Sequence, residues 1–223
     1  VVLGVMPVLL LILFVWKKMY QTPIVGTVFI ILIFLCNLAY AFLARWYAVL
    51  HSGVKGERRL FRTVKKLHGT NIVFHNLPVR YKRGRSELDM LIVCHAGVLI
   101  IEVKNHSGTI SGSWRDDKWT QRKHYRDGKV TETMMDNPIK QMRRQRDIVK
   151  SILTAAGENV WIDSVLYFSS PNAKLKISLR ESDYVCCESA ELLEFLKSYD
   201  SGETLSKSRM EHIAQILRES SGV

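Results

Sequence analysis

Three charged residues interrupt two apolar runs in the middle of the chain. The runs are residues 88–94 and 98–103, and the charged residues are Asp89, Glu102 and Lys104. Carboxylates among apolar residues are costly to bury unless a cation compensates their charge. Lys104 supplies one positive charge, and a divalent metal would supply the rest. Hard oxygen ligands of this kind suit Mg²⁺ or Mn²⁺.

A short turn at residues 95–97 separates the two runs. This pattern predicts a β-hairpin with two largely apolar faces, near the centre of a sheet. Folding the hairpin between positions 95 and 96 places Asp89 opposite Glu102. The same register places Glu87 opposite Lys104, and alternation directs Glu102 and Lys104 to one face. One additional loop residue would instead separate the two carboxylates onto opposite faces.

This cluster suits the hydrolysis of a phosphodiester bond. A metal held by Asp89 and Glu102 would polarise a phosphate oxygen and activate water. Lys104 would hold or deprotonate the attacking water, or offset negative charge at phosphorus. The alternative is a structural ion pair at a strand end, the usual explanation for a single Glu-x-Lys. Asp89, thirteen residues before Glu102, favours the functional interpretation.

The charges of the chain are unevenly distributed, with a formal net charge of +11. Residues 1–50 contain no Asp or Glu and only three cations, Lys17, Lys18 and Arg45. The remaining residues hold 29 Lys and Arg against all 21 Asp and Glu, a formal charge of +8. This surplus favours polyanionic partners, either nucleic acid or anionic lipid, although a solvated basic surface has the same composition.

Two apolar runs open the sequence, at residues 1–16 and 24–44. The second has no charge, and its 21 residues would rise about 31 Å as a helix, enough to cross a bilayer core. We therefore expect residues 1–50 to be a transmembrane anchor. The alternatives are a signal peptide for residues 1–22 and a buried core helix for residues 24–44. More cations follow the second run than lie between the runs, which favours a cytoplasmic basic domain at a prokaryotic membrane.

Helical and strand-like segments alternate after the anchor and predict a compact α/β domain of residues 51–170. A helical extension of residues 171–223 is expected to follow it. Asn137 and Pro138 predict the start of a helix that ends near Gly157. Further helices are expected at residues 45–68, 191–199 and 205–219, and strands at 72–77, 160–168, 184–187 and within 109–122. The four cysteines lack zinc-ribbon spacing and are interpreted as reduced thiols.

Several short motifs match those of one nuclease family. They are Gly56-Glu57, Glu87-Leu88-Asp89, the run from Gly97 to Asn105, Gly108-Thr109-Ile110, and Asn137-Pro138 with Gln141. Together they resemble the nuclease-related domain (NERD) family of the PD-(D/E)xK nuclease superfamily, over about residues 53–170. The resemblance implies a restriction-endonuclease-like α/β core, with a central mixed sheet flanked by helices and a transmembrane helix or helical hairpin before it.

The resemblance also implies roles for individual residues. Asp89, Glu102 and Val103 form the implied metal-binding set, and Lys104 is the implied catalytic lysine. The implied auxiliary residues of the same site are the helix-borne Glu57 and the polar Gln141.

The sequence departs from the family pattern at two points. The usual Glu-Ile-Asp-His is Glu87-Leu88-Asp89-Met90 here. By alternation the missing His would lie on the face opposite the ligands, so we expect activity to be retained. Some relatives carry a C-terminal zinc ribbon, for which this chain lacks the cysteines.

Two groups of cations are candidates for contacting a nucleic-acid backbone. They are Lys82, Arg83 and Arg85 on a turn or loop expected at residues 81–86, and Lys140, Arg143 and Arg144 after the predicted helix start. A solvated surface is the alternative for both groups. Trp114 and Trp119 are expected to pack under a small sheet, with base stacking as the alternative.

These features predict a membrane-anchored, Mg²⁺-dependent nuclease acting on nucleic acid, with DNA favoured over RNA. The first alternative is a noncatalytic module on the same fold that binds nucleic acid or a partner at the membrane. The second is a membrane scaffold whose basic surface binds anionic lipid. Metal-dependent cleavage would distinguish the enzyme from both alternatives.

Overall fold

A computed structural model describes residues 23–67 and 69–221 of the chain, in two compact units that divide between His51 and Ser52. The apolar run at residues 1–16 lies outside the described residues. Helix α1, Pro23–Val64, includes residues of both units. Its segment Thr27–Tyr47 has 21 residues, a mean hydropathy of 2.4 and no buried part. By length and composition this segment is able to cross a membrane.

The rest of the described chain alternates strands and helices. The strands are β1 (Ile72–Tyr81), β2 (Gly84–Cys94), β3 (Gly97–Lys104), β4 (Gly108–Ser113), β5 (Lys118–His124), β6 (Val130–Asp136), β7 (Ile162–Phe168), β8 (Ala173–Ser178) and β9 (Tyr184–Cys186). The helices are α2 (Pro138–Ala155), α3 (Ser189–Ser198) and α4 (Lys207–Ser221). One sheet has the order β1-β2-β3-β7-β9 and the other β6-β5-β4-β8. Each sheet combines antiparallel with parallel pairs, so the predicted mixed α/β architecture is confirmed.

Helices cover both faces of the five-stranded sheet. On one face, Ile152 of α2 and Ile213 of α4 pack with Ile100 of β3. On the other, Leu60 of α1 and Leu192 of α3 are buried with neighbouring strand residues. Each fully buried aliphatic side chain contributes about 1.5–3 kcal/mol. This double covering explains why β2 and β3 are apolar on both faces.

The hairpin of β2 and β3 has the register expected from its sequence. Its pairs run from Cys94↔Gly97 to Met90↔Ile101. Gly97 has a φ of +124°, and a Cβ there would lie 2.8 Å from the carbonyl oxygen of Trp161. Glycine is therefore required at this turn, both for its backbone conformation and for the close approach of the β7 side of the sheet.

The four-stranded sheet packs on the start of α2. Trp119 is fully buried there, as expected, whereas Trp114 is half-buried beneath the Arg180 guanidinium, 3.7 Å from the ring centroid. Asn137 caps α2, because its Oδ1 accepts the Ile139 N–H at 2.9 Å. Its Nδ2 donates to the carbonyl oxygens of Ser113 at 3.1 Å and Asp116 at 2.7 Å. One buried side chain thus joins this sheet to the helix.

Three expectations for the fold need correction. Residues 171–223 are not a helical extension alone, because the unexpected strand β8 pairs with β4, and β9, the strand expected at residues 184–187, pairs with β7. The turn or loop expected at residues 81–86 is a turn, but it is shorter than expected, since β1 extends to Tyr81 and β2 begins at Gly84. Strand β6 was not expected, and its mostly exposed side chains explain why it lacks an apolar signal.

Candidate active site

A cleft of about 820 Å³ opens beside the ends of β2 and β3. All five residues predicted to be catalytic line it: Glu57, Asp89, Glu102, Lys104 and Gln141. They come from α1, β2, β3 and α2, so the fold gathers them from distant parts of the sequence. Further charged residues in the lining are Arg80, Arg85, Glu87 and Arg144. Acidic groups and arginines therefore share one solvent-accessible cavity.

Glu102 is the most deeply buried acid of the cleft, with 2% of its surface exposed. Its Oε1 accepts from Lys104 Nζ and from Gln141 Nε2, each at 2.7 Å. Its Oε2 accepts from Gln145 Nε2, also at 2.7 Å. A buried carboxylate is tolerated only when it is paired and hydrogen-bonded, and these three donors meet that requirement.

Asp89 lies where the β1–β2 pairing is interrupted. The pairs stop at His75↔Met90 and resume at Leu77↔Leu88, leaving Asn76 and Asp89 outside the ladder. Asp89 was expected directly opposite Glu102, but the β2–β3 pairs end at Met90. Instead its Oδ2 accepts the backbone N–H of Val103 at 2.7 Å.

The electrostatic state of Asp89 differs from that of an ordinary carboxyl. Burial, and then the nearby charge of Glu102, raises the pKa of Asp89 to about 7. The Val103 hydrogen bond and the charge of Lys104 oppose this increase, while Glu57 adds to it. The cations of the chain thus do not fully compensate the charge of the Asp89 carboxylate, as expected of a site that accepts an additional cation.

Glu57 reaches the cleft from α1. Gly56 allows this approach, because a Cβ there would lie 3.0 Å from Ser169 Oγ and 3.1 Å from Asn105 Cβ. Asn76 Nδ2 lies 3.4 Å from Oε2 of Glu57, and Asn76 has a φ of +47°. Asparagine tolerates this left-handed conformation better than most residues. The interruption that displaces Asp89 from the ladder therefore also supplies a partner for Glu57.

The oxygen atoms of the cleft are suited to a hard divalent cation. In the described part of the chain, Asp89 Oδ1 has no hydrogen-bond donor, and Glu102 Oε2 has Gln145 as its single donor. Among the same residues no group of three or more His, Cys, Asp or Glu side chains is arranged to hold a metal. Two carboxylates are nevertheless sufficient for Mg²⁺, which commonly keeps several of its waters.

The predicted nucleic-acid contacts divide into two sets. Arg85 and Arg144 line the cleft, where Arg144 Nη2 donates to the carbonyl oxygen of Arg85 at 3.1 Å. Lys82 and Arg83 form the exposed turn between β1 and β2. The structure does not bring the remaining pair, Lys140 and Arg143, into the cleft.

Lys140 and Arg143 have partners elsewhere. Lys140 Nζ lies 2.6 Å from Oδ1 of the exposed Asp117. Arg143 Nη2 lies 2.6 Å from Oδ2 of Asp183, whose side chain is 4% exposed. The second pair is enclosed and therefore has a structural role, even though the sequence suggested a nucleic-acid contact.

Two residues important to the cleft were not anticipated from the sequence, Gln145 and Asn76. Gln145 follows Gln141 by four residues, the spacing that places two helical side chains on one face. This spacing was the available signal for Gln145. Met90, which replaces the family's His, is buried with Leu60 on the other face of the sheet, as alternation predicted.

Comparison with known proteins identifies a family for this chain. The sequence model of the family described as nuclease-related domain, NERD, matches residues 52–169, more than half of the chain. An uncharacterized protein of Bacillus anthracis is 34% identical over 71 residues, which cover 31% of this chain and 34% of that protein. This chain thus spans about a third of the length of that curated relative. No solved structure matches the chain. The family match shows that the chain belongs to the nuclease-related domain family.

Proposed function

We propose that this protein is a membrane-anchored, metal-dependent nuclease that hydrolyses phosphodiester bonds of nucleic acid, with DNA as the favoured substrate. The observation that carries the proposal is the convergence of Asp89, Glu102 and Lys104 in a cleft that also contains Arg85 and Arg144. A noncatalytic binding module has no need for a buried carboxylate, Glu102, and a second carboxyl with a raised pKa, Asp89, beside a lysine. Such perturbed groups in a cavity are typical of catalytic sites.

Mg²⁺ or Mn²⁺ is the proposed cofactor. The proposed ligands are Asp89 and Glu102 through their carboxylate oxygens, and Val103 through its backbone carbonyl oxygen. The bound ion would supply Lewis-acid polarisation of the phosphate and lower the pKa of water. The hydrogen bond from Val103 to Asp89 and the two glutamines on Glu102 orient the carboxylates before any ion arrives. Partners of this kind strengthen metal sites and tune their ligands.

Lys104 is the proposed catalytic cation. Its ammonium has three N–H donors, of which one reaches Glu102 Oε1 at 2.7 Å and another Gln141 Oε1 at 3.0 Å. The third donor remains for the attacking water or for a phosphate oxygen. Donation to a phosphate oxygen would stabilise the charge that accumulates there in the transition state. Gln141 accepts from Lys104 and donates to Glu102, so it holds the two at a constant separation.

The arginines of the cleft are the proposed contacts to the backbone. Arg85 and Arg144 line the same cavity as the acidic residues and carry charge that phosphates can neutralise. Glu57 of α1 lines the same cleft and is proposed to assist at the same ions or water. The apolar segment Thr27–Tyr47 supports anchoring in a prokaryotic membrane, with the nuclease domain proposed to be cytoplasmic.

Cleavage by the chain of residues 1–223 in neutral detergent tests the proposal. DNA and RNA, single- and double-stranded, would be incubated with Mg²⁺, Mn²⁺ or EDTA. We expect cleavage with metal and none with EDTA. Asp89→Asn and Lys104→Met should each lower the rate at least about 100-fold, the loss typical of removing an electrostatic group from an active site. Lys174→Met, an exposed lysine on β8, is the matched control and should retain full activity.

Metal binding can be measured separately from cleavage. Saturating Mg²⁺ at about 100 times its dissociation constant should stabilise the chain by about 2.7 kcal/mol in thermal unfolding. Asp89→Asn should reduce this increase. A folded wild type that binds nucleic acid tightly, yet neither binds metal nor cleaves, would contradict the proposal and favour a noncatalytic module.

A further inference from the structure

Helix α1 carries a row of exposed cations, here called the basic stripe: Lys55, Arg58, Arg62 and Lys65. Their spacing of three, four and three residues confines them to about 80° of the helix circumference. Lys65 follows the last helical residue but continues the geometry, because its N–H donates to the Phe61 carbonyl oxygen at 3.0 Å. The stripe is therefore a continuous basic face.

The basic stripe points away from the core of the second unit. Leu60 and Val64, which are buried against the five-stranded sheet, lie on the opposite side of the helix. Among residues 23–67 and 69–221, no carboxylate oxygen lies within 4.0 Å of any of the four cations. The acid nearest in sequence, Glu57, lines the catalytic cleft. The four positive charges thus have no ion-pair partner there.

Exposed apolar side chains border the basic stripe. Val54 is 42% exposed and Phe61 is 38% exposed, both along one edge of the stripe. Lys65 Nζ lies 4.3 Å from the centroid of the Phe61 ring. Cations beside exposed apolar groups are typical of helices at a bilayer surface, where lysine stems cover apolar area and the ammonium groups reach the headgroups. On a helix face that contacted only water, the exposed side chains of Val54 and Phe61 would gain no stabilising contact.

The chain length keeps the stripe near the proposed anchor. Lys55 follows Tyr47, the end of the apolar segment, by eight positions, and a chain of that length reaches at most about 28 Å. Gly53 lies between them with open space around its missing side chain. Because glycine has no Cβ, bending costs less there than at other residues.

We propose that the basic stripe binds the headgroups of anionic phospholipids at the membrane surface. Charge complementarity, the apolar border and the short connection to the anchor all favour lipid over nucleic acid as its partner. The proposal rests on the membrane anchoring in the proposed function and is independent of nuclease activity.

The rate at which lysines of the 1–223 chain are acetylated tests this proposal. The chain would be reconstituted into nanodiscs of phosphatidylcholine alone or with 30% phosphatidylglycerol, and acetylation rates measured by peptide mass spectrometry. Since each cation near an anionic surface contributes about fivefold in binding, Lys55 and Lys65 should react about fivefold more slowly in the anionic discs. High salt should restore the rates. The exposed Lys174 and Lys176 on β8 are internal controls and should react equally in both discs.

Two matched variants assign the effect to the stripe. Arg58→Gln with Arg62→Gln should weaken the slowing at Lys55 and Lys65, whereas Lys174→Gln with Lys176→Gln should leave it unchanged. Neither pair belongs to the proposed catalytic residues. Slowing that survives the first double substitution would overturn the assignment.

The remaining outcomes also decide the question. Equal rates in neutral and anionic discs would overturn the proposal. Slowing by added DNA in neutral discs, without a lipid effect, would identify the stripe as a nucleic-acid surface instead. A chain that does not copurify with nanodiscs would overturn both the anchoring and the stripe. A chain that copurifies and shows the lipid effect but cuts no nucleic acid would contradict the nuclease proposal alone.

Discussion

Gln145 Nε2 lies 2.7 Å from Oε2 of Glu102, and both side chains are buried. One turn earlier on the same helix, Gln141 donates to the other oxygen of this carboxylate. The two glutamines therefore set both the position and the rotation of Glu102. Orientation of a charged group before substrate binds is a main source of catalytic power, so α2 contributes to the site through these amides.

Removing the Gln145 amide should affect stability and metal binding together. Gln145→Met retains much of the side-chain volume but leaves Oε2 of Glu102 without its donor. We expect a loss of about 1–3 kcal/mol in the free energy of unfolding, because the buried acceptor becomes unsatisfied. Mg²⁺ affinity should fall about 10-fold or more, since the carboxylate is no longer held. Denaturant unfolding and calorimetric titration measure the two effects.

The matched control is Gln215→Met on α4. This glutamine is exposed and donates to Glu219 four residues later. We expect a stability change below about 0.5 kcal/mol and unchanged Mg²⁺ affinity. Equal Mg²⁺ affinities for Gln145→Met and the wild type would show that Gln145 does not orient a metal ligand.

Asp89→Asn should change the pH dependence of stability in the metal-free protein. The pKa of Asp89 rises from 3.8 to about 7 on folding, so the folded state binds its proton more tightly than the unfolded state. The resulting stabilisation is complete below about pH 4 and is lost as the pH rises through 7. At pH 8 in EDTA, the free energy of unfolding of the variant should exceed that of the wild type by roughly 2–4 kcal/mol. The difference should vanish near pH 4, as thermal unfolding across pH would show.

Asp117→Asn is the control for that experiment. The hydrogen bond from Lys140 lowers the pKa of Asp117, so the ionised form of Asp117 stabilises the fold, whereas ionised Asp89 destabilises it. The stabilisation from Asp117 is present at neutral pH and is lost as the pH falls through its folded-state pKa. This variant should therefore show no gain in stability at pH 8. A gain equal to that of Asp89→Asn would point to a general loss of negative charge as the cause.

Arg144 and Arg143 are adjacent in sequence but should respond differently to substitution. Arg144→Gln should weaken duplex binding and reduce the slope of log K against log salt by about 0.9, because one phosphate contact is lost. Arg143→Gln should leave that slope unchanged and cost about 3 kcal/mol of stability, since it strands the buried Asp183. Fluorescence anisotropy at several salt concentrations, together with denaturant unfolding, separates the two. A shallower salt slope for Arg143→Gln would mean that this residue also contacts phosphate.

Two glycines should give opposite changes in stability. Gly97→Ala forces a side chain into a φ of +124° and against the carbonyl oxygen of Trp161, at an expected cost of about 1–3 kcal/mol. Gly53→Ala places a methyl group in open space within helix α1 and should gain up to about 1 kcal/mol. Equilibrium unfolding of the two variants in parallel measures both. A neutral Gly97→Ala would indicate that the turn moves to accommodate the methyl group.

Local rules were sufficient to predict the core of the site. The apolar runs and the short turn predicted the β2–β3 register, and the structure has it from Cys94↔Gly97 to Met90↔Ile101. The cap at Asn137 and the end of α2 near Gly157 also agree with the sequence. These features depend on the residue types that form turns and helix caps and on the alternation of apolar side chains along a strand, all of which act over a few residues.

Features that depend on long-range contacts were not predictable in this way. Asp89 leaves the ladder because β1 and β2 are both irregular at the same point, and neither strand alone reveals this. Gln145 resembles any polar residue on a helix until Glu102 is placed beside it. Arg143 was assigned to nucleic acid because its partner, Asp183, lies 40 residues away in a different element. Pairings of this kind are set by the tertiary structure.

Asn137 has a consequence that extends beyond capping. Its oxygen begins α2, while its amide group holds the turn of the four-stranded sheet at Ser113 and Asp116. Contacts outside the candidate cleft therefore fix how α2 is rotated about its own axis. Because both glutamines follow within two turns, that rotation sets where the Glu102 carboxylate points. Sequence changes in a sheet that does not line the cleft thus become a means of tuning the proposed reaction from a distance.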